Sequence, residues 1–296
     1  MTEVKFNLQQ QPKTPGYLEC YKARAGYKLV QADLTAIEPH IIAEFSKDPT
    51  MLKLYGPGAA PNDIYLFAGA HIALFRDEIR KYYDPDKPTA ESIALAKKHC
   101  KQLRNICKAI TLACGYSAGV KKVRSMLITL GYPMTIDEAR IIHRDYWQLY
   151  AGIKKFQQKL EMIWSEQGGY IPSVLGTPIC IAAQYISDAV NRFAQTSGHM
   201  CLQKFLYHTD KLRTERGIRM TPWIADWHDE FIFECLEADV PAALQAIVDA
   251  LEITNQELGM TIQIKAEPMV ADNLAEIKLG DEYSEWLATK QIQEIK

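Results

Sequence analysis

Two spacings of apolar residues alternate along this chain. Tyr27-Lys28-Leu29-Val30-Gln31-Ala32-Asp33-Leu34 has the composition of a strand, and the helical spacing behind it predicts a helix reaching about Leu54. Thr35-Ala36-Ile37-Glu38-Pro39 reads as that helix's start: Thr35 suits the N-cap, Glu38 completes a capping box, and Pro39 is tolerated in a first turn. Helical spacing recurs from Ile64 to about Tyr82, Ala90 to about Ala113, Ile136 to Glu166, Asp188 to Arg216 and Val240 to Gly259. Gly56-Pro57-Gly58, Asp84-Pro85-Asp86-Lys87-Pro88 and Gly168-Gly169 punctuate the series. Trp223-Ile224-Ala225-Asp226 and Phe231-Ile232-Phe233-Glu234-Cys235 predict a hairpin with Trp227-His228-Asp229-Glu230 at its tip, and Thr261-Ile262-Gln263-Ile264-Lys265 alternates like a further strand. The Gln- and Pro-rich stretch 1–16 reads as an extended arm. The architecture expected is a helical insertion carried on an α+β platform.

Composition changes this picture little. A chain of 296 residues, 48% hydrophobic, can bury a large core. No run of about 18 apolar residues is present and Met1-Thr2-Glu3-Val4-Lys5 lacks an apolar signal core, so a cytoplasmic protein without a membrane partner is expected. The seven cysteines include no Cys-x-x-Cys pair, and Cys100, Cys107 and Cys114 recur at heptad spacing, as small apolar side chains on a buried helix face would. Charge is more informative. The net charge of −2 hides a tract from Ser92 through Thr135 with no acidic residue, in which Lys97, Lys98, Lys101, Arg104, Lys108, Lys121, Lys122 and Arg124 are all basic. A solvated helix face normally mixes both signs, so a one-signed tract points to a polyanion or a ligand phosphate.

Candidate chemistry gathers at two places. Adjacent acids at a hairpin tip concentrate negative charge, which a cation would compensate. Asp33, fixed where a strand hands over to a helix, is a second rigidly held aspartate, and two such groups could bind a pair of divalent ions roughly 3.5 to 4 Å apart, as phosphoryl transfer uses. In the basic tract, Arg104, Lys108, Leu112 and Tyr116 fall four apart and form one stripe on a helix. Two cations about one helical pitch apart can hold a triphosphate, although a solvated face gives the same spacing.

Asp33-Leu-Thr-Ala-Ile-Glu38, then Arg104-x3-Lys108-x3-Leu112-x3-Tyr116, then His228-Asp229-Glu230 resemble, in order, the three polymerase motifs of family A DNA polymerases. The resemblance takes in Asn191-x3-Gln195 and Asn7-Leu8-Gln9, covers nearly the whole chain, and is nearer to bacteriophage members than to bacterial repair enzymes. It implies a polymerase palm, an antiparallel sheet with helices, at 1–54 and 180–296, carrying helical fingers at 55–179. It also implies DNA-templated DNA synthesis from deoxynucleoside triphosphates on a primer-template.

By the resemblance, Asp33 and Asp229 hold two Mg2+ ions, with Mn2+ as a substitute and Glu230 as a further acid nearby. Arg104 and Lys108 bind the triphosphate, and Lys108 also protonates the leaving pyrophosphate. Glu38 gates against a ribose 2′-hydroxyl, Leu112 and Tyr116 face sugar and base, and Tyr65 occupies the place of a phosphate-binding histidine. Asn191 and Gln195 look into the minor groove, where acceptors lie at similar places in every base pair; His228 touches the primer end, and Gln9 also contacts DNA.

The sequence departs from the family at Leu112, where Phe or Tyr is usual, at Ser117, where glycine is common, at Tyr65, and at Thr177-Pro178, where basic residues are usual. The resemblance starts inside the family pattern, without thumb or exonuclease, and so implies a second polypeptide carrying the thumb and the 3′–5′ exonuclease; a fragment of a longer chain is the competing explanation. Two other readings stay open. One is a single-subunit RNA polymerase-like enzyme, against which Glu38 argues. The other is a non-catalytic DNA-binding scaffold, against which the joint presence of Asp33, Asp229, Arg104 and Lys108 argues.

Overall fold

The computed structural model describes residues 12, 14–115, 117–227 and 229–294, with backbone alone at 226, 227 and 288–294. A short helix α1 (Pro15–Leu18) precedes β1 (Tyr27–Leu34), after which come α2 (Ile37–Ser46) and α3 (Pro49–Tyr55). Helices α4 (Ile64–Gly69), α5 (Arg76–Ile79), α6 (Ala90–His99), α7 (Lys101–Gly115), α8 (Val120–Thr129), α9 (Ile136–Leu149) and α10 (Ala151–Glu166) lead to a small hairpin, β2 (Tyr170–Pro172) and β3 (Pro178–Cys180). The long helix α11 (Ala189–Glu215), β4 (Ala225–Trp227), β5 (Glu230–Leu236), α12 (Val240–Leu258), β6 (Ala266–Ala271), α13 (Leu274–Leu279) and α14 (Asp281–Glu294) complete the order. The result is α+β, as the sequence predicts. These elements form two compact units: one gathers the residues up to Ile37, His199–Gly259 and those from Ile264 on, and the other comprises Glu38–Gly198 with Met260–Gln263.

The first unit is built on an antiparallel sheet of order β4-β5-β1-β6. Side chains alternate across a strand, and β1 and β5 are buried on both faces, apolar in one register and carrying Gln31, Glu230 and Glu234 beside Leu29 and Ile232 in the other. On one face Phe231 packs on Phe233 and on Phe205 of α11, with ring centroids 5.1 and 5.0 Å apart. On the other, Leu29, Ile232 and Ala271 form a core with Leu18, Leu274, Ala275, Ile277 and Tyr283. Burying those side chains stabilises the sheet by roughly 1.5–3 kcal/mol for each large one. Helix α12 stops at Gly259, whose φ of 61° provides the left-handed C-cap that residues with a Cβ resist.

The second unit is helical apart from β2 and β3. Helix α7 buries Ile106, Cys107, Ile110 and Cys114, and Cys100 is buried just before it, which bears out the heptad reading. Burial pushes the thiols of Cys107 and Cys114 up to about 12, so these cysteines act as small apolar residues. Helices α6 and α9 each open with a capping box, Thr89 with Ser92 and Thr135 with Glu138.

Several local expectations are corrected. Ala36 has φ 49° and lies outside α2, while the Thr35 amide donates to the Lys265 carbonyl at 2.9 Å; the helix therefore starts at Ile37, and Thr35 with Glu38 do not form its capping box. The alternation at 261–265 is real in burial, with Ile262 and Ile264 each 2% exposed, but it forms no ladder. The Ile262 amide donates to Glu44 at 2.9 Å and the Ile264 amide to Asn255 at 2.8 Å, so side chains satisfy this backbone and the strand falls at Ala266–Ala271 instead. The run from Ile64 is two short helices, α4 and α5, rather than one. The run reaching about Leu54 breaks between α2 and α3, where Asp48 caps α3, and the runs from Ala90 and Ile136 each break once, at Cys100 and Tyr150.

Candidate active site

The acids converge at one end of the four-stranded sheet. In the antiparallel register Asp33 of β1 stands opposite Glu230 of β5 on one side and Glu267 of β6 on the other, so three carboxyl positions cross the sheet in one row. Trp227 pairs with Glu230, which leaves Asp229 in the two-residue tip between β4 and β5. The Asp229 carbonyl accepts the Leu34 amide at 2.8 Å, fixing the tip to the end of β1. Burial, and then the charges of Asp229 and Glu230, raise the Asp33 carboxyl from 3.8 to about 6, while Lys278 pulls it back.

Glu230 is differently placed. It is 5% exposed and its carboxylate is bonded by Gln31 of β1 and by Lys278 of α13, so both of its oxygens have protein partners. Among the described residues no three or more His, Cys, Asp or Glu side chains are arranged to hold a metal. Asp33 and Asp229 are two acids at this sheet end that could hold a metal together. That pair suits magnesium, a hard cation that takes oxygen ligands, keeps several waters and is bound through one or two carboxylates together with substrate phosphates. A cation there would also relieve the repulsion that raises Asp33.

In the second unit the cations stand on α7. Opposite its buried stripe, Arg104 is partly exposed, Lys108 is exposed and Leu112 is 47% exposed. Asp63 is the N-cap of α4: its Oδ1 accepts the Tyr65 and Leu66 amides, both at 3.1 Å. Its Oδ2 accepts from Arg104 Nε at 2.9 Å and Nη2 at 2.8 Å, with Lys97 at 3.5 Å. Tyr65 lies beside both cations of the stripe, its ring centroid 5.2 Å from Arg104 Cζ and 5.8 Å from Lys108 Nζ. Lys98, Lys101, Lys121 and Lys122 are exposed, so much of the one-signed tract faces solvent.

Asn191 of α11 is buried, and its amide Nδ2 donates to the carbonyl of Gly115 at 2.6 Å, satisfying a backbone acceptor at the end of α7. Gln195, one turn on, is exposed. Ser117 adopts φ 52°, the left-handed region that favours glycine, and its hydroxyl donates to the Ser187 carbonyl. Glu38 is half-buried in the first turn of α2. Gln9, Tyr116 and His228 lie outside the described residues.

Three residues escaped the sequence reading. Asp63 carried a signal, an acid just before a helix start. Lys278 and Glu267 carried none, because only strand register and a helix much later in the chain bring them to Asp33 and Glu230.

A family model described as DNA polymerase family A matches residues 4–276. DNA polymerase I of Aquifex aeolicus is 22% identical over 257 residues, covering 84% of this chain and 40% of that protein. DNA polymerase I of Helicobacter pylori is 23% identical over 262 residues, covering 85% of this chain and 25% of its own length. The chain thus spans less than half the length of these relatives. Among solved structures, the POL domain of Pol1 from M. smegmatis in complex with DNA primer-template and dNTP superposes with a TM-score of 0.70 at 19% identity, over 91% of this chain and 44% of that one. With motifs and fold in agreement over nearly its whole length, the chain belongs to DNA polymerase family A.

Proposed function

We propose that this chain is the catalytic part of a DNA-templated DNA polymerase, which joins a deoxynucleoside triphosphate to a primer 3′-hydroxyl and releases pyrophosphate. The observation that carries the reading is the Asp33 and Asp229 pair, two carboxyl groups at a sheet end close enough for the charge of Asp229 to raise Asp33. Two magnesium ions held there, with manganese as a substitute, would activate the hydroxyl and neutralise charge on the transferring phosphoryl group. Glu230, tied to Gln31 and Lys278, supports the pair as a neighbouring acid.

Arg104 and Lys108 bind the triphosphate oxygens, the first as a planar fork and the second as a point charge, and Tyr65 belongs to the same set. Lys108 is the exposed ammonium able to give a proton to the departing pyrophosphate. Leu112 and Tyr116 form the sugar and base end of the stripe, and Glu38 excludes a ribose 2′-hydroxyl by bulk and charge. Asn191 and Gln195 serve the minor groove, with His228 and Gln9 on the DNA. For Asn191 this means giving up its bond to Gly115. In this reading 1–54 and 180–296 are palm and 55–179 fingers.

A separate polypeptide carrying thumb and 3′–5′ exonuclease completes the enzyme in this reading. Primer extension with magnesium tests the whole, run on the full chain with and without a candidate second polypeptide. Templated incorporation of deoxynucleotides in preference to ribonucleotides, lengthened by the second polypeptide, is the expected result. No templated incorporation in either arm contradicts it.

A further inference from the structure

We propose that Tyr65 is a positioning residue whose aromatic face, rather than its hydroxyl, holds Arg104 and Lys108 in place for a nucleoside triphosphate. The inference rests on the triphosphate-binding reading of α7 and specifies how a chain with tyrosine at this point organises that site. Two cations on successive turns of one helix repel each other, and a long flexible side chain loses rotamer freedom when it is held for a ligand. Something must offset both effects before the ligand arrives. The π-face of a tyrosine attracts cations within about 6 Å of its centroid, and both Arg104 and Lys108 lie inside that range.

The ring is itself held in place. Asp63 fixes the Tyr65 amide through the α4 N-cap and grips Arg104 through its other oxygen, so the guanidinium sits between a carboxylate and an aromatic ring. The spacing between α4 and α7 is fixed at Gly69, where a Cβ would come within 2.3 Å of Ile79 Cδ1 and 2.7 Å of Cys107 Sγ. Cys107 adjoins Lys108 in sequence, so the close packing of α4 on α7 sets the distance from ring to cations. Burial raises the Tyr65 phenol, which stays protonated at neutral pH and places no negative charge beside the phosphates.

A hydroxyl that bonded phosphate directly and a ring that arranges two cations make opposite demands on substitution. The experiment compares the full-length wild-type chain with Tyr65→Phe and Tyr65→Leu. It measures binding of a magnesium deoxynucleoside triphosphate by calorimetry, single-nucleotide incorporation on a primer-template, and thermal melting. The expected result is that Phe binds within about twofold of wild type, while Leu binds about tenfold more weakly and raises KM far more than it lowers kcat, with melting of both variants near wild type. Equal affinity of wild type and Leu overturns the proposal, and so does a Phe variant as weak as Leu, which would assign the role to the hydroxyl. A wild type that binds the triphosphate but incorporates nothing overturns the polymerase reading and leaves the role of Tyr65 to the binding comparison. A wild type that binds no triphosphate overturns both.

Discussion

Asp33 is held in a condition that favours its protonated form, and this sets stability against chemistry at one residue. Its folded value, about 6, lies above the ordinary 3.8, so between those values the folded state binds more protons than the unfolded one. The stability contributed by protonated Asp33 is therefore fully present below about pH 4, declines as pH rises to about 6, and stays lost above that. The shift corresponds to at most about 3 kcal/mol, and solvent screening of a half-buried carboxyl reduces it to about 1–2 kcal/mol. Asp33→Asn should accordingly stabilise the metal-free chain by about 1–2 kcal/mol at pH 7.5 while abolishing nucleotide incorporation. Urea denaturation at pH 4 and 7.5 checks this, and the advantage of the Asn variant should vanish at the lower pH.

Ser117 shows a second conflict at this scale. Its left-handed backbone costs about 1 kcal/mol that glycine would not incur, while its hydroxyl bond to Ser187 returns about as much. Ser117→Ala keeps the strain and loses the bond, so it should melt about 2 °C below wild type, with Ser117→Gly between the two or level with wild type. Thermal melting of the three proteins separates these terms.

At the level of elements, what could be read in advance was what is local. The hairpin and the cationic stripe of α7 were legible because each is set by spacing within about 16 residues, by period 2 in one case and 3.6 in the other. The breaks inside long helical runs were not. Cys100 and Tyr150 are neither glycine nor proline, and at Tyr150 the interruption serves a distant partner. Just beyond it the Gly152 amide donates to Asp48 Oδ2 at 2.6 Å, while Asp48 Oδ1 caps α3. A Cβ on Gly152 would lie 2.6 Å from the Asp48 backbone, where nothing flexible can give way. Gly152→Ala should therefore cost about 2–3 kcal/mol, read as a lower denaturation midpoint with unchanged m-value. The strand expected at 261–265 failed for a related reason: alternation reports which side chains are buried, and Glu44 and Asn255 had taken the backbone bonds a ladder needs.

Across the whole molecule, sequence order was enough to find the motifs but not to assemble their surroundings. Asp33 and Asp229 are 196 positions apart and meet because β1 lies beside β5, a pairing that no local pattern encodes. The same assembly bonds the Glu230 carboxylate to Gln31 and Lys278. It also brought forward Asp63, the residue that joins the capping of α4 to the placement of Arg104. One unit thus carries the two aspartates and the other a cationic helix face.

The central claim is that the aspartate pair is the seat of metal-dependent nucleotide transfer. Single-nucleotide incorporation on a primer-template, measured for wild type and Asp229→Asn across a magnesium titration, addresses it directly. Wild type should incorporate the template-directed deoxynucleotide, and Asp229→Asn should fall by a factor on the order of a thousand or more, without recovery at high magnesium. Incorporation by Asp229→Asn at the wild-type rate would contradict the account.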